Sequence, residues 1–118
     1  GLPERHPKLR IGFVECAAEW VPWVLNDLRW QAECEGRQLP EHLFEDYRLY
    51  VSCYSSTDDI EYIARCAGDN ILMTGTDYGH TDMSAETDAI KRLGESGEIR
   101  PELAKKILED NPARFYAL

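Results

Sequence analysis

The chain has 118 residues, of which 43% are hydrophobic, and it carries a formal charge of −9. This length suits one domain with a real hydrophobic core, and the acidic balance argues against a nucleic-acid partner or an anionic membrane surface, which bind clustered Lys and Arg. Apolar runs stay well short of the roughly 18 residues that a membrane-spanning helix needs, so we expect no membrane partner.

Three short apolar segments, at residues 9–14, 49–53 and 71–74, are rich in branched or aromatic residues and are bounded by polar or turn residues. Each predicts a β-strand. Amphipathic spacing predicts helices between and after them, at residues 21–32, at 41–47, at 60–67, from near Ser84, at 101–108, and from Asn111-Pro112 to Tyr116. Thr57 is the expected N-cap of the helix at 60–67, and Gly68 is its expected exit.

This strand–helix alternation predicts an α/β fold whose strands are parallel and joined by crossover helices. Three strands are few for a parallel sheet, since a complete (β/α)8 barrel needs roughly 250 residues. The chain is therefore either a small open α/β domain or part of a barrel that other strands complete. The first residue is Gly1 rather than a methionine, which is typical of a trimmed or partial product.

In parallel sheets the chemistry lies beyond the carboxyl ends of the strands, which here lead into Glu15, Tyr54 and Asp77. Asp77 is a candidate metal ligand or general base, or else the residue that shapes a turn beside Gly79. His80 lies three residues on and is a candidate ligand or substrate contact, or else an ordinary loop histidine.

Two further side chains near the first strand have competing interpretations. Glu15 could act as an acid/base group, or it could form an ion pair with an Arg or Lys. Trp20 could form the wall of a substrate pocket, or it could pack in the core, and for Trp23 we predict core packing. One Asp and one His do not make a zinc site by themselves, because such a site generally needs three protein ligands.

The four cysteines show no C-x-x-C spacing, which argues against a structural zinc site and indicates a reduced, cytoplasmic protein. Cys53 and Cys66 fall in apolar patterns, where a thiol behaves as a small hydrophobic side chain. A thiol or redox function would require a reactive Cys16 or Cys53.

Three blocks of the sequence resemble the amidohydrolase-related family that includes aminocarboxymuconate-semialdehyde decarboxylase. Residues 7–25 (PKLRIGFVE, then WVPWVL) resemble its sixth strand and helix, residues 70–80 (NILMTGTDYGH) its eighth strand, and residues 111–118 (NPARFYAL) its closing helix. The resemblance implies that residues 1–118 form the last three strand–helix units of a TIM barrel.

Carried over by position, the resemblance makes Asp77 the metal ligand and proton acceptor, with His80 fitting the same motif. Glu15 stands where the decarboxylases have a catalytic histidine, and Gly79 stands where a proline is usual. The family's H-x-H ligand pair lies outside this sequence. The implied function is the C-terminal portion of a metal-dependent hydrolase or decarboxylase that uses a divalent metal, with zinc expected, and acts on a small-molecule substrate.

The same resemblance implies that this portion alone is inactive and that a second copy or a partner fragment completes the barrel. The alternative is a non-catalytic α/β interaction module derived from the same fold.

Overall fold

The computed structural model describes residues 1–82 and 85–118, in which three strands alternate with helices. The strands are β1 (Ile11–Phe13), β2 (Leu49–Ser52) and β3 (Leu72–Met73). The helices, in chain order, are α1 (Leu2–Arg5), α2 (Trp20–Cys34), α3 (Leu43–Asp46), α4 (Ile60–Ala67), α5 (Ala89–Glu95), α6 (Pro101–Lys105), a π-helical segment (Lys106–Asp110) and α7 (Asn111–Tyr116).

The strands form one parallel sheet in the order β1-β2-β3, which confirms the predicted α/β class. Ile11 pairs with Leu49 in the first ladder, and Val51 pairs with Leu72 in the second. Val51 and Leu72 are fully buried. All three strands lie inside the predicted apolar runs but are shorter, because hydrogen-bonded pairing ends before the apolar sequence does.

The helices cover the sheet and supply most of the core. Helices α2 and α4 pack against each other, and the π-helical segment packs against β3. The large apolar side chains that are fully buried lie in the helices, in β2, and in or directly before β3: Ile63, Ile71, Leu72, Leu103, Ile107, Val21 and Val51. Among the described residues, no helix is long and apolar enough to cross a membrane.

Trp23 is 69% exposed, so the prediction of core packing for it was wrong. The buried residues of α2 are Val21, Leu25 and Ala32. At about 100° per residue, Trp23 lies roughly 200° around the helix from Val21, on the opposite face. The helical periodicity was therefore correct, and the error was to let the size of the tryptophan outweigh its position.

The start of α4 differs from the prediction, because the N-cap is Asp59 rather than Thr57. The Asp59 carboxylate accepts a hydrogen bond from the backbone N–H of Tyr62, at 3.0 Å. An aspartate at this position satisfies an otherwise unpaired N–H and also complements the positive end of the helix dipole. The exit at Gly68 is confirmed, and this residue has a φ of 98°.

Replacing Gly68 with Ala should destabilise the fold by about 1–3 kcal/mol, because a side chain is strained at positive φ and crowded here. The added Cβ would lie close to the Glu45 carboxylate, which accepts hydrogen bonds from the backbone and side chain of Asn70. Urea unfolding measures the loss. The matched control is Gly94→Ala inside α5, where the nearest atom is 4.0 Å away, and there the helix should gain stability. Equal effects at both glycines would contradict this account.

The predicted last helix, from Asn111-Pro112 to Tyr116, is confirmed as α7, but it is not separated from the helix before it, because α6, the π-helical segment and α7 follow one another without a gap. The Asn111 N–H donates to the carbonyl of Lys106, five residues back. Pro112 has no N–H, and in a regular α-helix its ring would clash with the carbonyl four residues before it. The wider π turn accommodates this proline, so it did not stop the helix.

The helix predicted to begin near Ser84 cannot be compared at its start, since Ser84 lies outside the described residues. The helix in this part of the chain, α5, begins at Ala89. Ala89 and Leu93 are its buried residues, as the apolar spacing predicts.

Candidate functional site

The three strand-end loops meet at the carboxyl edge of the sheet, where they surround a cavity of about 220 Å³. Glu15 follows β1, Tyr54 follows β2 and Asp77 follows β3, and all three line this cavity. The remaining lining comes from the strand ends and from the C-terminal helix: Val14, Ser52, Cys53, Met73, Thr74, Gly75, Pro112 and Tyr116.

Glu15, Asp77 and His80 form a cluster of candidate metal ligands at this edge. One ligand atom of each lies within 4.8 Å of the other two. Nδ1 of His80 lies 2.8 Å from Oδ2 of Asp77. The ligands of a tetrahedral zinc ion lie roughly 3.4 Å apart, given zinc–ligand distances of about 2.1 Å. Small side-chain rotations would therefore bring all three to one ion, and the donor set of two carboxylates and an imidazole fits a divalent metal.

Glu15 and Asp77 both have left-handed backbone conformations, with φ values of 58° and 49°. The left-handed region is uncommon for residues other than glycine, and such conformations concentrate at functional sites. The backbone N–H of Glu15 donates to Oγ of Ser52, at 3.1 Å. Ser52, the last residue of β2, therefore stabilises the turn that contains Glu15.

The negative charge of the cluster affects the neighbouring tyrosine. Burial, followed by the charges of Glu15 and Asp77, raises the pKa of the Tyr54 phenol. Tyr54 is therefore a neutral O–H donor at physiological pH, on a cavity wall that is otherwise rich in acceptors.

The sequence left two interpretations open for each of the three cluster residues, Glu15, Asp77 and His80. Among the described residues, no Arg or Lys forms an ion pair with Glu15. The backbone N–H of His80 donates to the Asp77 carbonyl at 3.2 Å, so Asp77 opens a turn that contains Gly79, while its side chain belongs to the cluster. The same turn brings the ring of His80 against the side chain of Asp77.

Trp20 packs against other aromatic rings and does not form a wall of the cavity. Its indole N–H donates to the Ala17 carbonyl at 3.0 Å, and its ring packs edge-on against Phe13 with centroids 5.4 Å apart. The ring centroid of Phe44 lies 6.1 Å from that of Trp20. Trp20 is absent from the cavity lining.

Cys53 is buried beneath the cavity, and burial raises the pKa of its thiol to about 12. Because the thiolate is the reactive form, a buried thiol with a raised pKa is unsuited to act as a nucleophile. Cys16 and Cys34 are exposed, and all four cysteines are free of disulfides.

Two residues that sequence reasoning missed, Asp58 and Glu86, hold the loops of the site together. Oδ2 of Asp58 accepts hydrogen bonds from the backbone of Ala18 and Tyr54, at 3.0 and 2.8 Å. Glu86 is 6% exposed and binds the loop after β2. Asp58 lies close to a strand end that the sequence did indicate, but nothing in the sequence near Glu86 marks it as part of a site.

The sequence model of the amidohydrolase family matches residues 1–118, the whole chain. The chain belongs to the amidohydrolase family. The resemblance noted from the three sequence blocks is thereby confirmed. Among curated proteins, the comparison found no match.

Two solved structures share the fold. An amidohydrolase from Mycobacterium avium subsp. paratuberculosis K-10 matches with a TM-score of 0.76 and 23% identity, over 98% of this chain and 30% of the other. The 5-carboxyvanillate decarboxylase LigW from Sphingomonas paucimobilis matches with a TM-score of 0.65 and 21% identity, over 100% of this chain and 36% of the other. The chain thus spans about a third of the length of each.

Proposed function

We propose that this chain is the C-terminal portion of a metal-dependent hydrolase or decarboxylase, to which it contributes three metal-site residues. The observation that carries the proposal is the convergence of Glu15, Asp77 and His80 within 4.8 Å at the carboxyl edge of a parallel sheet. We propose zinc as the ion, since imidazole and carboxylate donors at this spacing suit it.

In this proposal Asp77 has two roles, as a ligand and as the acceptor of a proton from the attacking water or from the substrate. Its side chain is 19% exposed, so it lies at the cavity wall but remains within reach of a small molecule. Tyr54 supplies a neutral O–H that can donate to an oxygen of the substrate. When bound, the divalent ion acts as a Lewis acid that polarises a carbonyl or carboxylate oxygen and activates water.

We also propose that further strands complete a (β/α)8 barrel around this site. The cavity, at about 220 Å³, is smaller than the roughly 300–1,000 Å³ of typical ligand pockets, as is expected of a partial wall. Phe13 and Val14, at the end of β1, are 38% and 63% exposed. An open strand edge with exposed apolar residues favours pairing with more chain of the same protein, a second copy or a partner fragment.

Glu15 bears on the choice between the two reactions. A carboxylate can accept a proton but has none to donate, unlike the imidazolium that a histidine could present here, so it favours hydrolysis by general-base assistance over protonation of a carbon atom. The decarboxylase among the structural neighbours makes 5-carboxyvanillate a useful test compound for the second reaction.

Replacing His80 with Ala should weaken zinc binding by about 10-fold or more, because it removes a ligand or the partner that orients Asp77. The full-length protein is stripped with a chelator, and zinc is added back in a calorimeter. His42→Ala is the matched control, since His42 is exposed, precedes β2 rather than following a strand, and caps α3 without a side-chain hydrogen bond.

Turnover is measured on the same samples, as release of carbon dioxide from 5-carboxyvanillate and as hydrolysis of a panel of small esters and amides. Zinc-dependent turnover that falls with His80→Ala and not with His42→Ala supports the proposal. A full-length protein that binds no divalent ion and turns over none of these compounds would instead support the interaction-module alternative.

A further inference from the structure

Asp58 and Glu86 connect the loops that follow the three strands. Oδ2 of Asp58 accepts from Ala18, in the loop after β1, and from Tyr54, in the loop after β2. Ala18 lies 40 residues before Asp58 in the chain and Tyr54 lies 4 residues before it. They fix the first two walls of the cavity relative to each other.

Glu86 makes the equivalent connection between the second and third walls. Its carboxylate accepts from the backbone of Ser55 at 2.6 Å, from the backbone of Ser56 at 2.9 Å and from the Ser56 hydroxyl. Its own backbone N–H donates to the Thr76 carbonyl at 3.0 Å. A single buried residue thus binds the loop after β2 through its side chain and the loop after β3 through its main chain.

The Thr76 carbonyl that accepts this bond belongs to the residue directly before Asp77. Asp77 has a left-handed φ of 49°, which the surrounding structure must maintain. We propose that Glu86 is a positioning residue of the metal site, which holds Asp77 against His80 by tying its loop to Ser55 and Ser56. The link to metal binding rests on the proposed function, whereas the positioning of Asp77 by Glu86 rests only on the hydrogen bonds described above.

Glu86 needs its charge for this task. Burial raises the pKa of the carboxyl group, but the hydrogen bonds from Ser56 and Ser55 outweigh burial and the net pKa is lowered. The group is therefore ionised at neutral pH and accepts through both oxygens. A glutamine keeps the shape but offers one acceptor oxygen, and its NH2 group would face a backbone N–H donor.

The direct test is Glu86→Gln in the full-length protein, with Glu95→Gln as the matched control. Glu95 undergoes the same chemical change on the exposed surface of α5. Under conditions where urea unfolding shows each variant to be folded, zinc affinity is measured by calorimetry. The Nδ1 and Nε2 chemical shifts of His80 are measured by NMR on the zinc-free protein.

We expect Glu86→Gln to weaken zinc binding by about 10- to 100-fold and to shift the His80 ring nitrogens, while Glu95→Gln changes neither. A variant that is less stable but keeps wild-type zinc affinity and His80 shifts in its folded form would overturn the proposal, since Glu86 would then be only structural. If the wild-type protein binds no zinc, the proposed function fails, and the His80 shifts alone then decide the positioning role.

Discussion

Replacing Asp77 with Asn is expected to weaken zinc binding by more than about 100-fold, because loss of a residue that merely orients a ligand already costs about 10- to 100-fold. Asn has the same size and tolerates the left-handed conformation of Asp77, so the turn should be kept. What is lost is the negative charge and a strong oxygen ligand. Calorimetry with zinc measures the affinity, and turnover at limiting zinc should fall in parallel.

The matched control for this change is Asp46→Asn. Asp46 is exposed at the end of α3, before β2 rather than after it, so it lies away from the carboxyl edge. This variant changes the net charge by the same amount without touching the cluster. Equal zinc affinity and turnover in the Asp77→Asn variant and in the wild-type protein would remove Asp77 from the role assigned to it.

Replacing Asn111 with Ala is expected to lower the free energy of unfolding by about 2–4 kcal/mol, because each buried polar group left without a partner costs about 1–3 kcal/mol. Asn111 is fully buried. Its Nδ2 donates to the carbonyls of Asp69 and Leu72, at 2.9 and 2.8 Å, and its Oδ1 accepts from Arg114 at 3.3 Å. These bonds attach α7 to the first residue of β3 and to the segment that precedes the strand.

Urea unfolding measures this loss, and Asn26→Ala on the exposed face of α2 is the control. That change should alter stability by less than about 0.5 kcal/mol, as is usual for exposed positions. A loss below about 1 kcal/mol for Asn111→Ala would mean that neither carbonyl depends on this side chain, contrary to our interpretation of the α7–β3 contact.

The secondary structure could be predicted from the sequence because it depends on local spacing. Residues 9–14, 49–53 and 71–74 are short, mainly apolar segments, and each contains an observed strand. The helical spacing of Val21, Val24, Leu25, Leu28 and Ala32 likewise predicted the inward face of α2, on which Val21, Leu25 and Ala32 are buried. At Asn111-Pro112 the predicted helix is observed, and what the sequence did not show is the π turn that joins it to the helix before it.

The candidate site could be predicted only in part. Glu15 and Asp77 were found because the carboxyl ends of parallel strands meet at one edge of the sheet, whatever the loops do. The approach of His80 to Asp77 depends on the turn between them, and the role of Glu86 depends on contact with Ser55, 31 residues earlier in the chain. No spacing rule covers a contact made between two loops.

The parallel α/β order, the strand ends and the family could all be read from the amino-acid sequence, since each follows from short patterns or from matching motifs. Which side chains meet at the carboxyl edge became clear only from the folded chain, in which His80 reaches Asp77, Trp20 packs against Phe13, and Glu86 connects two loops. Hydrogen bonding along a strand or a helix is encoded in neighbouring residues, whereas the conformation of a loop depends on contacts with residues that are distant in the sequence.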